Sequence, residues 1–346
     1  MSTGYVYDPL FLKHAMPGHM EGPERLRATM EGLDRAKLLG RLTLLPPRLA
    51  TVEELTRVHT PSYVEYVQRL SDEGGDEWRG GETYVNEFTY EAARLAAGGC
   101  IAAMEAVWRG RIDNAIGLVR PPGHHASRDR GEGFCLFNNV AIAARAAQGL
   151  GVARVMIVDF DLHHGQGTQW TFEDEASVLY FSTHQWGIYP GTGHYRESGR
   201  GAGTGYTVNV PLMPGAGDQT FARVYERILI PLAERFRPEM LLVSAGYDIH
   251  WTDPLGSLLV TLPGISAIVR TLYDLAKRLC RGKLVVCLEG GYSLQAQAFG
   301  VANTVRVLLG DKHMQDPLGA PRHIERPDEY NELIATIVRK HDLAPL

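Results

Sequence analysis

Three side chains that can bind metal or move protons alternate at the end of one apolar run. Asp159, Asp161 and His163 follow residues 155–158, a β-branched segment of the kind that forms a buried strand. Side chains at i, i+2 and i+4 of an extended chain point the same way, so we expect these three to share one face. Carboxylates this close repel each other unless a cation lies between them. The segment therefore predicts a metal site, and the competing interpretation is a hydrogen-bonded cluster at a strand end.

Further polar groups follow apolar runs elsewhere in the chain. His124 and His125 come after one run, Asp248 after another, and Glu-Gly-Gly-Tyr at 289–292 after a third. In open α/β sheets, ligands bind beyond the carboxyl ends of the strands, so these separate segments would meet in one site. The sequence thus predicts a site that combines metal-compatible ligands, a histidine pair and a tyrosine.

Such a site needs a scaffold of alternating strands and helices, and the chain predicts one. Apolar residues at helical spacing indicate helices over 86–108, 138–150, 220–236, 265–280 and 326–341. Short apolar runs indicate strands over 114–119, 155–158, 178–182, 206–210, 240–244 and 284–288. The first 50 residues read as loop-rich, with Pro23 placed to open a helix. This alternation implies right-handed crossovers and a mostly parallel sheet with helices on both faces.

Composition excludes several classes of protein. With 346 residues, 45% hydrophobic and 22% charged, the chain resembles an ordinary globular enzyme and not a disordered or fibrous protein. A formal charge of −5 excludes a nucleic-acid partner bound through a basic surface. No apolar run approaches the roughly 18 residues of a membrane helix, so we expect no membrane partner and a cytoplasmic location. Without a linker or repeat, residues 1–346 are predicted to form a single catalytic domain.

Seven motifs follow one another along the chain: Arg120-Pro-Pro-Gly-His-His-Ala126, Gly133-Phe-Cys-Leu-Phe-Asn-Asn139, Asp159-Phe-Asp-Leu-His-His-Gly165, Tyr189-Pro-Gly-Thr-Gly193, Ser244-Ala-Gly-Tyr-Asp248, Asp253-Pro-Leu-Gly256 and Glu289-Gly-Gly-Tyr292. Together they resemble the histone deacetylase and acetylpolyamine amidohydrolase superfamily, and within it the class II and bacterial deacetylase-like enzymes. The resemblance implies the arginase/deacetylase fold, a three-layer α/β/α domain whose central, mostly parallel sheet has about eight strands, in keeping with the alternation above.

The resemblance also implies roles for individual residues. Asp161, His163 and Asp248 would bind the catalytic ion, which would be zinc, with ferrous iron as an alternative. His124 and His125 would move the protons, and Tyr292 would donate a hydrogen bond to the oxyanion. The remaining assignments are Asp159, Ser182 and Thr183 at a structural potassium ion, Asp159 also beside His124, Gln166 beside His125, and a substrate tunnel of Phe134, Tyr189, Leu255, Gly290 and Gly291.

Gln166 departs from the class I pattern, in which an aspartate stands beside the second histidine. A neutral amide stabilises a charged imidazole less than a carboxylate does, so we expect His125 to be less readily protonated than in a His-Asp dyad. Which histidine is the base stays open. Arg25 resembles the arginine of the family's internal acetate channel, although Met20 and Gly22 interrupt the usual pattern around it.

The predicted function is metal-dependent hydrolysis of N-acylated amines, with acyl-lysine as the favoured substrate. Acetylpolyamine hydrolysis is the alternative, but polyamine-selective relatives carry a glutamate where Leu255 stands. An arginase-like ureohydrolase and a catalytically silent acyl-lysine binder are more remote interpretations. The expected partner is a small-molecule or peptide substrate, and a homo-oligomer is left open.

Overall fold

One sheet gathers strands from most of the chain. The computed structural model describes residues 2–75 and 82–343. Its strands are β1 Thr3–Val6, β2 Thr43–Leu44, β3 Asn114–Gly117, β4 Val155–Asp159, β5 Val178–Gln185, β6 Thr207–Leu212, β7 Met240–Ala245 and β8 Leu284–Leu288. They form an eight-stranded sheet in the order β2-β1-β3-β8-β7-β4-β5-β6, and every neighbouring pair is parallel. The predicted α/β class and largely parallel sheet are therefore confirmed.

Helices cover both faces of this sheet. They are α1 Glu24–Arg35, α2 Val52–Thr56, α3 Pro61–Asp72, α4 Thr89–Trp108, α5 Asn139–Gly149, α6 Gln166–Phe172, α7 Asp218–Val224, α8 Ile230–Phe236, α9 Leu262–Cys280, α10 Leu294–Leu308 and α11 Asn331–Lys340. Helices α4 and α5 pack on each other, as do α9 and α10. Strand β3 contacts α4 and α10, and β7 contacts α5 and α9, so each strand contacts one helix of each pair. The sheet is thus the middle layer of three.

The central strands are buried along their whole length. Every residue of β4, β7 and β8 is inaccessible to solvent, which explains why these segments are continuous apolar runs and not alternating ones. The four cysteines are free and buried. No helix within residues 2–75 and 82–343 is both long enough and apolar enough to cross a membrane.

Some elements differ from the sequence prediction. Strands β1 and β2 lie in the segment that was predicted to be mostly loop, and α10 was not predicted. The single helix expected over 220–236 is interrupted by a π-helical turn at Tyr225–Leu229. Pro231, two residues after this turn, has no N–H to donate to the preceding turn, so a regular α-helical ladder cannot continue there. The predicted opening of α1 at Pro23 is confirmed.

Candidate active site

Sheet order explains why four distant segments meet. Strands β3, β8, β7 and β4 are consecutive neighbours, and all of them end at the same edge because they are parallel. The chain that leaves them carries the histidine pair after β3, the Glu-Gly-Gly-Tyr segment after β8, Asp248 after β7, and Asp161 with His163 after β4. The predicted convergence at the carboxyl ends is therefore what the fold produces.

The three predicted metal ligands lie together. Ligand atoms of Asp161, His163 and Asp248 are all within 4.8 Å of one another. Nδ1 of His163 is 3.2 Å from Oδ1 of Asp161 and 3.4 Å from Oδ2 of Asp248. This Asp248 oxygen is buried and finds no hydrogen-bond partner among the described residues. Burial, together with the neighbouring Asp161, raises the pKa of Asp248 to about 7. A buried carboxylate oxygen that lacks a hydrogen-bond donor and faces a second carboxylate and an imidazole fits a divalent cation.

The backbone route to this cluster differs from the predicted alternation. Strand β4 ends at Asp159, so His163 does not continue an extended face. Instead, the backbone N–H of Asp161 donates to Oδ1 of Asp159 (3.1 Å), and that of His163 donates to Oδ1 of Asp161 (2.9 Å). Each carboxylate thereby turns the chain after it, as Asp side chains commonly do, and delivers the next ligand.

Backbone groups of neighbouring segments orient both carboxylates. The N–H of Gly290 donates to Oδ2 of Asp161 (2.8 Å), and that of Leu162 donates to Oδ1 of Asp248 (3.0 Å). A side chain at position 290 would place its Cβ 2.1 Å from Oδ2 of Asp248, so only glycine allows this approach. The turn after β8 therefore sets the positions of two ligands that belong to β4 and β7.

The two histidines have different partners. Nδ1 of His124 lies 3.0 Å from Oδ2 of Asp159, whereas Nδ1 of His125 lies 2.6 Å from Oε1 of Gln166. Burial alone would lower the pKa of His124, but Asp159 and Asp161 outweigh it and raise that pKa to about 10. Burial, with His124 beside it, holds the pKa of His125 well below its usual value. The hydrogen bond with Gln166 raises the pKa of His125, but it does not offset this lowering. The comparison with a His-Asp dyad stays a prediction.

Tyr292 lies next to the ligand cluster on a fixed turn. Its backbone N–H donates to Oδ2 of Asp253 (2.7 Å), as does that of Ser293 (3.0 Å). The Arg25 guanidinium lies 5.1 Å from the centre of the Tyr292 ring. Burial raises the pKa of the Tyr292 phenol, so its hydroxyl stays protonated and able to donate.

A cavity of about 480 Å³ leads to this chemistry from the surface. His125, His163 and Tyr292 line it together with Phe134, Tyr189 and Leu255, and His19, Met20 and Glu82 are also among its lining residues. Gly290 and Gly291, which we predicted as tunnel residues, are not among the described residues that line it. A Cβ added to Gly290 would meet the carboxylates of Asp248 and Asp161, and one added to Gly291 would meet Gln297 and Tyr247. Their place in the tunnel stays a prediction.

The residues predicted at a potassium site are close neighbours on β4 and β5. Asp159 and Ser182 are paired in register, and Thr183 follows. Oδ2 of Asp159 also accepts from the Tyr180 hydroxyl (3.1 Å), and Oγ of Ser182 lies 2.8 Å from Nδ1 of His184. The Thr183 hydroxyl is buried without a hydrogen-bond partner among the described residues. A cation at this position stays a prediction.

Sequence reasoning passed over several polar residues around the site. Glu289 is fully buried, and its Oε2 accepts from the backbone N–H groups of Gly123 (2.7 Å) and His124 (3.2 Å). Glu21 pairs with Arg120 at 2.6 Å and with Arg25 at 2.9 Å, all three inside the protein. A charged residue inside an otherwise apolar or glycine-rich motif indicates such burial in the sequence, but the sequence does not show which residue the charge pairs with.

Arg25 and Trp251 each donate a hydrogen bond to the backbone carbonyl of a distant segment. Arg25 donates through Nε to the carbonyl of Gly291 (2.7 Å), directly behind Tyr292. Trp251 donates through Nε1 to the carbonyl of Gly319 (3.0 Å), so it fastens the segment after α10. Neither His250 nor Trp251 is among the described residues that line the cavity.

The comparisons with known proteins agree with this geometry. The model of the histone deacetylase domain matches residues 19–308. The chain belongs to the histone deacetylase family. It is therefore a deacetylase or amidohydrolase of that family, with a buried metal-binding triad of Asp161, His163 and Asp248.

Individual relatives cover most of the chain. A probable deacetylase of Archaeoglobus fulgidus is 42% identical over 298 residues, which is 85% of this chain and 82% of that protein. The polyamine deacetylase HDAC10 of Homo sapiens is 41% identical over 314 residues, covering 87% of this chain and 46% of that protein, so the match spans about half of its length. The crystal structure of the HDA15 HD domain superposes with a TM-score of 0.90 at 37% identity, covering 98% of this chain and 94% of that one.

Proposed function

We propose that the protein hydrolyses N-acylated amines, with acyl-lysine as its main substrate class, and that residues 1–346 act as one catalytic domain. The observation that carries the proposal is the floor of the cavity, where a metal-ligand histidine, a neutral histidine and a phenol face the same space. Those are the groups that amide hydrolysis needs: a site for a Lewis acid, a proton acceptor and an oxyanion donor.

The ligand triad fits a catalytic ion, which we propose to be zinc, with ferrous iron as the alternative. When bound by Asp161, His163 and Asp248, such an ion supplies a Lewis acid that polarises the amide carbonyl and acidifies water. Protein ligands at only three positions leave room for substrate and water. We also propose that Asp159, Ser182 and Thr183 help to hold a structural potassium ion.

The histidines take different parts in proton transfer. An amide oxygen only accepts hydrogen bonds, so Oε1 of Gln166 requires the proton of His125 to be on Nδ1. Nε2 of His125 then carries a lone pair and, because the ring lines the cavity, can accept a proton from water. We propose that His124, which is paired with Asp159, supplies the proton to the leaving amine. Tyr292 donates to the oxyanion that forms on the acyl carbon.

The tunnel favours a slender acyl-amine. Phe134 and Tyr189 line it, and Leu255 adds an apolar surface where a carboxylate would have attracted a second positive charge. Acetylpolyamines are the second candidate substrate. Glu82, an exposed carboxylate among the lining residues, supports them, and a relative that covers most of this chain is a polyamine deacetylase.

The test compares substrates and metals on one preparation. The zinc-reconstituted protein should hydrolyse an acetyl-lysine peptide with a higher kcat/KM than acetylputrescine, and chelation should abolish both activities. Equal rates from the metal-free and reconstituted proteins would refute the proposal. A higher kcat/KM for acetylputrescine would select the polyamine alternative, and urea release from arginine would select a ureohydrolase.

A further inference from the structure

A carboxylate lies on the far side of Gln166 from His125. Oε1 of Gln166 contacts Nδ1 of His125 at 2.6 Å, and Nε2 of the same amide donates to Oε1 of Glu132 at 3.1 Å. Gln166 is 1% exposed and the Glu132 side chain 18%, so the contact is largely shielded from water. His125, Gln166 and Glu132 therefore form one chain of hydrogen bonds from the cavity floor toward the surface.

The loop that carries Glu132 is well fixed. The N–H of Cys135 donates to the Glu132 carbonyl (3.0 Å), and the N–H of Ser127 donates to the Arg130 carbonyl (2.9 Å). Nε of Arg130 lies 3.3 Å from Oε2 of Glu132, the oxygen that Gln166 does not use. The backbone contacts fix the loop, and the carboxylate itself has one partner on each oxygen, Gln166 and Arg130. Two residues later the same loop supplies Phe134 to the tunnel wall.

The orientation of the Gln166 amide links Glu132 to the position of the proton on His125. Its nitrogen can only donate and its oxygen can only accept, whereas an ionised carboxylate can only accept. Glu132 can therefore pair only with the nitrogen, which turns the oxygen toward His125. With the amide rotated by half a turn, its nitrogen would face His125, and the imidazole proton would have to move to Nε2. The residue at position 132 thus selects between two tautomers of a histidine that it does not touch.

We propose that Glu132 is a positioning residue for His125, because it holds the Gln166 amide in the orientation that keeps Nε2 of His125 unprotonated inside the tunnel. This inference rests on the proposed function, in which His125 is the base. In a His-Asp dyad a carboxylate contacts the histidine directly. Here the carboxylate of Glu132 acts on His125 through the amide of Gln166.

The first test substitutes the acceptor by a donor. In Glu132→Lys the ammonium can only donate, so it should attract the amide oxygen and turn the nitrogen toward His125. We expect kcat for an acetyl-lysine peptide to fall at least about 100-fold, the lower end of the range for a lost general base, with KM changed by less than about threefold. Glu132→Gln offers an amide oxygen in the same place and should lower kcat only about threefold. Glu132→Ala, without an acceptor, should lie between them.

A neighbouring residue provides the matched control. Asp129 lies on the same loop and is exposed, and Asp129→Lys makes the same change in charge without facing Gln166. Its kcat should stay within about twofold of wild type, since a distant surface charge is screened by salt. Equal losses in Asp129→Lys and Glu132→Lys would assign the effect to charge alone and overturn the proposal. So would equal losses in Glu132→Lys and Glu132→Gln.

The second test reads the tautomer without using activity. ¹⁵N chemical shifts of His125 in the zinc-loaded protein, assigned with a His125→Gln variant, should show the proton on Nδ1 in wild type and on Nε2 in Glu132→Lys. The same tautomer in both proteins overturns the proposal, even if Glu132→Lys is slow. A wild-type protein that shows the expected tautomer but hydrolyses no acylated amine would refute the proposed function and leave the assignment of Glu132 standing.

Discussion

At the scale of residues, the site depends on a buried charge arrangement that is incomplete without a cation. Asp161 and Asp248 are both buried, and one carboxylate oxygen has no hydrogen-bond partner among the described residues. A protein seldom leaves such a group uncompensated, because an unpaired buried polar group costs about 1 to 3 kcal/mol. The same two residues therefore make the protein less stable without metal and more stable with it.

Removal of one ligand should abolish metal binding. We expect Asp248→Ala to lose its stoichiometric metal and its activity together, because the triad then has only two ligands left. Metal content measured by mass spectrometry after gel filtration checks this. Asp274→Ala, an exposed aspartate on α9, is the control and should keep both. Full metal content in Asp248→Ala would contradict the assignment of this ligand.

Loss of the Tyr292 hydroxyl should affect turnover alone. Tyr292→Phe keeps the ring that packs against Phe134 at 5.8 Å between centroids, so stability and metal content should not change. Removal of one oxyanion donor typically lowers kcat by about 100- to 1000-fold. Steady-state kinetics on an acetyl-lysine peptide measures this loss. A loss of less than about threefold would show that another group binds the oxyanion.

At the scale of elements, the turn between β8 and α10 positions ligands that it does not itself contain. Gly290→Ala would bring a methyl group to 2.1 Å from Oδ2 of Asp248, so the carboxylate or the turn must move. We expect weaker metal binding with little change in secondary structure. Titration with zinc in a competing chelator measures this affinity. Gly40→Ala, where an added Cβ meets nothing within 4 Å, is the control and should bind metal as wild type does.

Elements with a strong local pattern were predictable from the sequence, and those defined by distant contacts were not. The central strands are continuous apolar runs, so β4, β7 and β8 were recognised within one residue of their bounds. Strand β2 has only two residues, both exposed, and carries no such pattern. Helix α10 buries Gln297 and Asn303, whose side chains pair with Thr29 and with the Gln315 carbonyl, so its apolar face is interrupted.

The candidate site shows the same division. Motifs at the ends of neighbouring strands could be assembled from the rule for parallel sheets, and the structure brings Asp161, His163 and Asp248 together. Glu132 could not be connected to Gln166 in this way, because 34 residues separate them and one carboxylate in a loop has no periodic signal. The turn after Asp159 could also not be predicted from the sequence, since it depends on hydrogen bonds that form only when the strand ends there.

At the scale of the whole molecule, buried neutral histidines make stability depend on pH. His59 accepts from the backbone N–H of Asn138 (2.9 Å) and has its other nitrogen 2.8 Å from the Ser127 carbonyl. Burial lowers the pKa of His59 to about 4 and, with Arg120 nearby, that of His14 to about 3. Below about pH 6.5 the unfolded chain binds protons at these positions, whereas the folded chain does not until pH 3 to 4.

Stability should therefore fall as the pH is lowered from about 6.5 to 4. Each such histidine lowers the free energy of unfolding by up to about 1.4 kcal/mol per pH unit in this window. Urea unfolding of the zinc-loaded protein at pH 7.5, 6.0 and 5.0 checks the slope. His59→Gln should reduce it, while His313→Gln, at an exposed position, should not. A slope in His59→Gln equal to that of the wild type would contradict the low pKa of His59.

Because all strands run in the same direction, the edge of the sheet where they begin and the edge where they end can change independently in evolution. Turns that enter β4, β7 and β8, at residues 150–154, 237–239 and 281–283, lie at the opposite edge of the sheet from the candidate active-site residues. Substitutions at that edge can change the stability of the fold without changing its substrate. Substitutions in the loops that follow Asp159, Ala245 and Leu288 can change specificity without changing the packing of the core. Selection can thus act on stability and on substrate specificity almost independently.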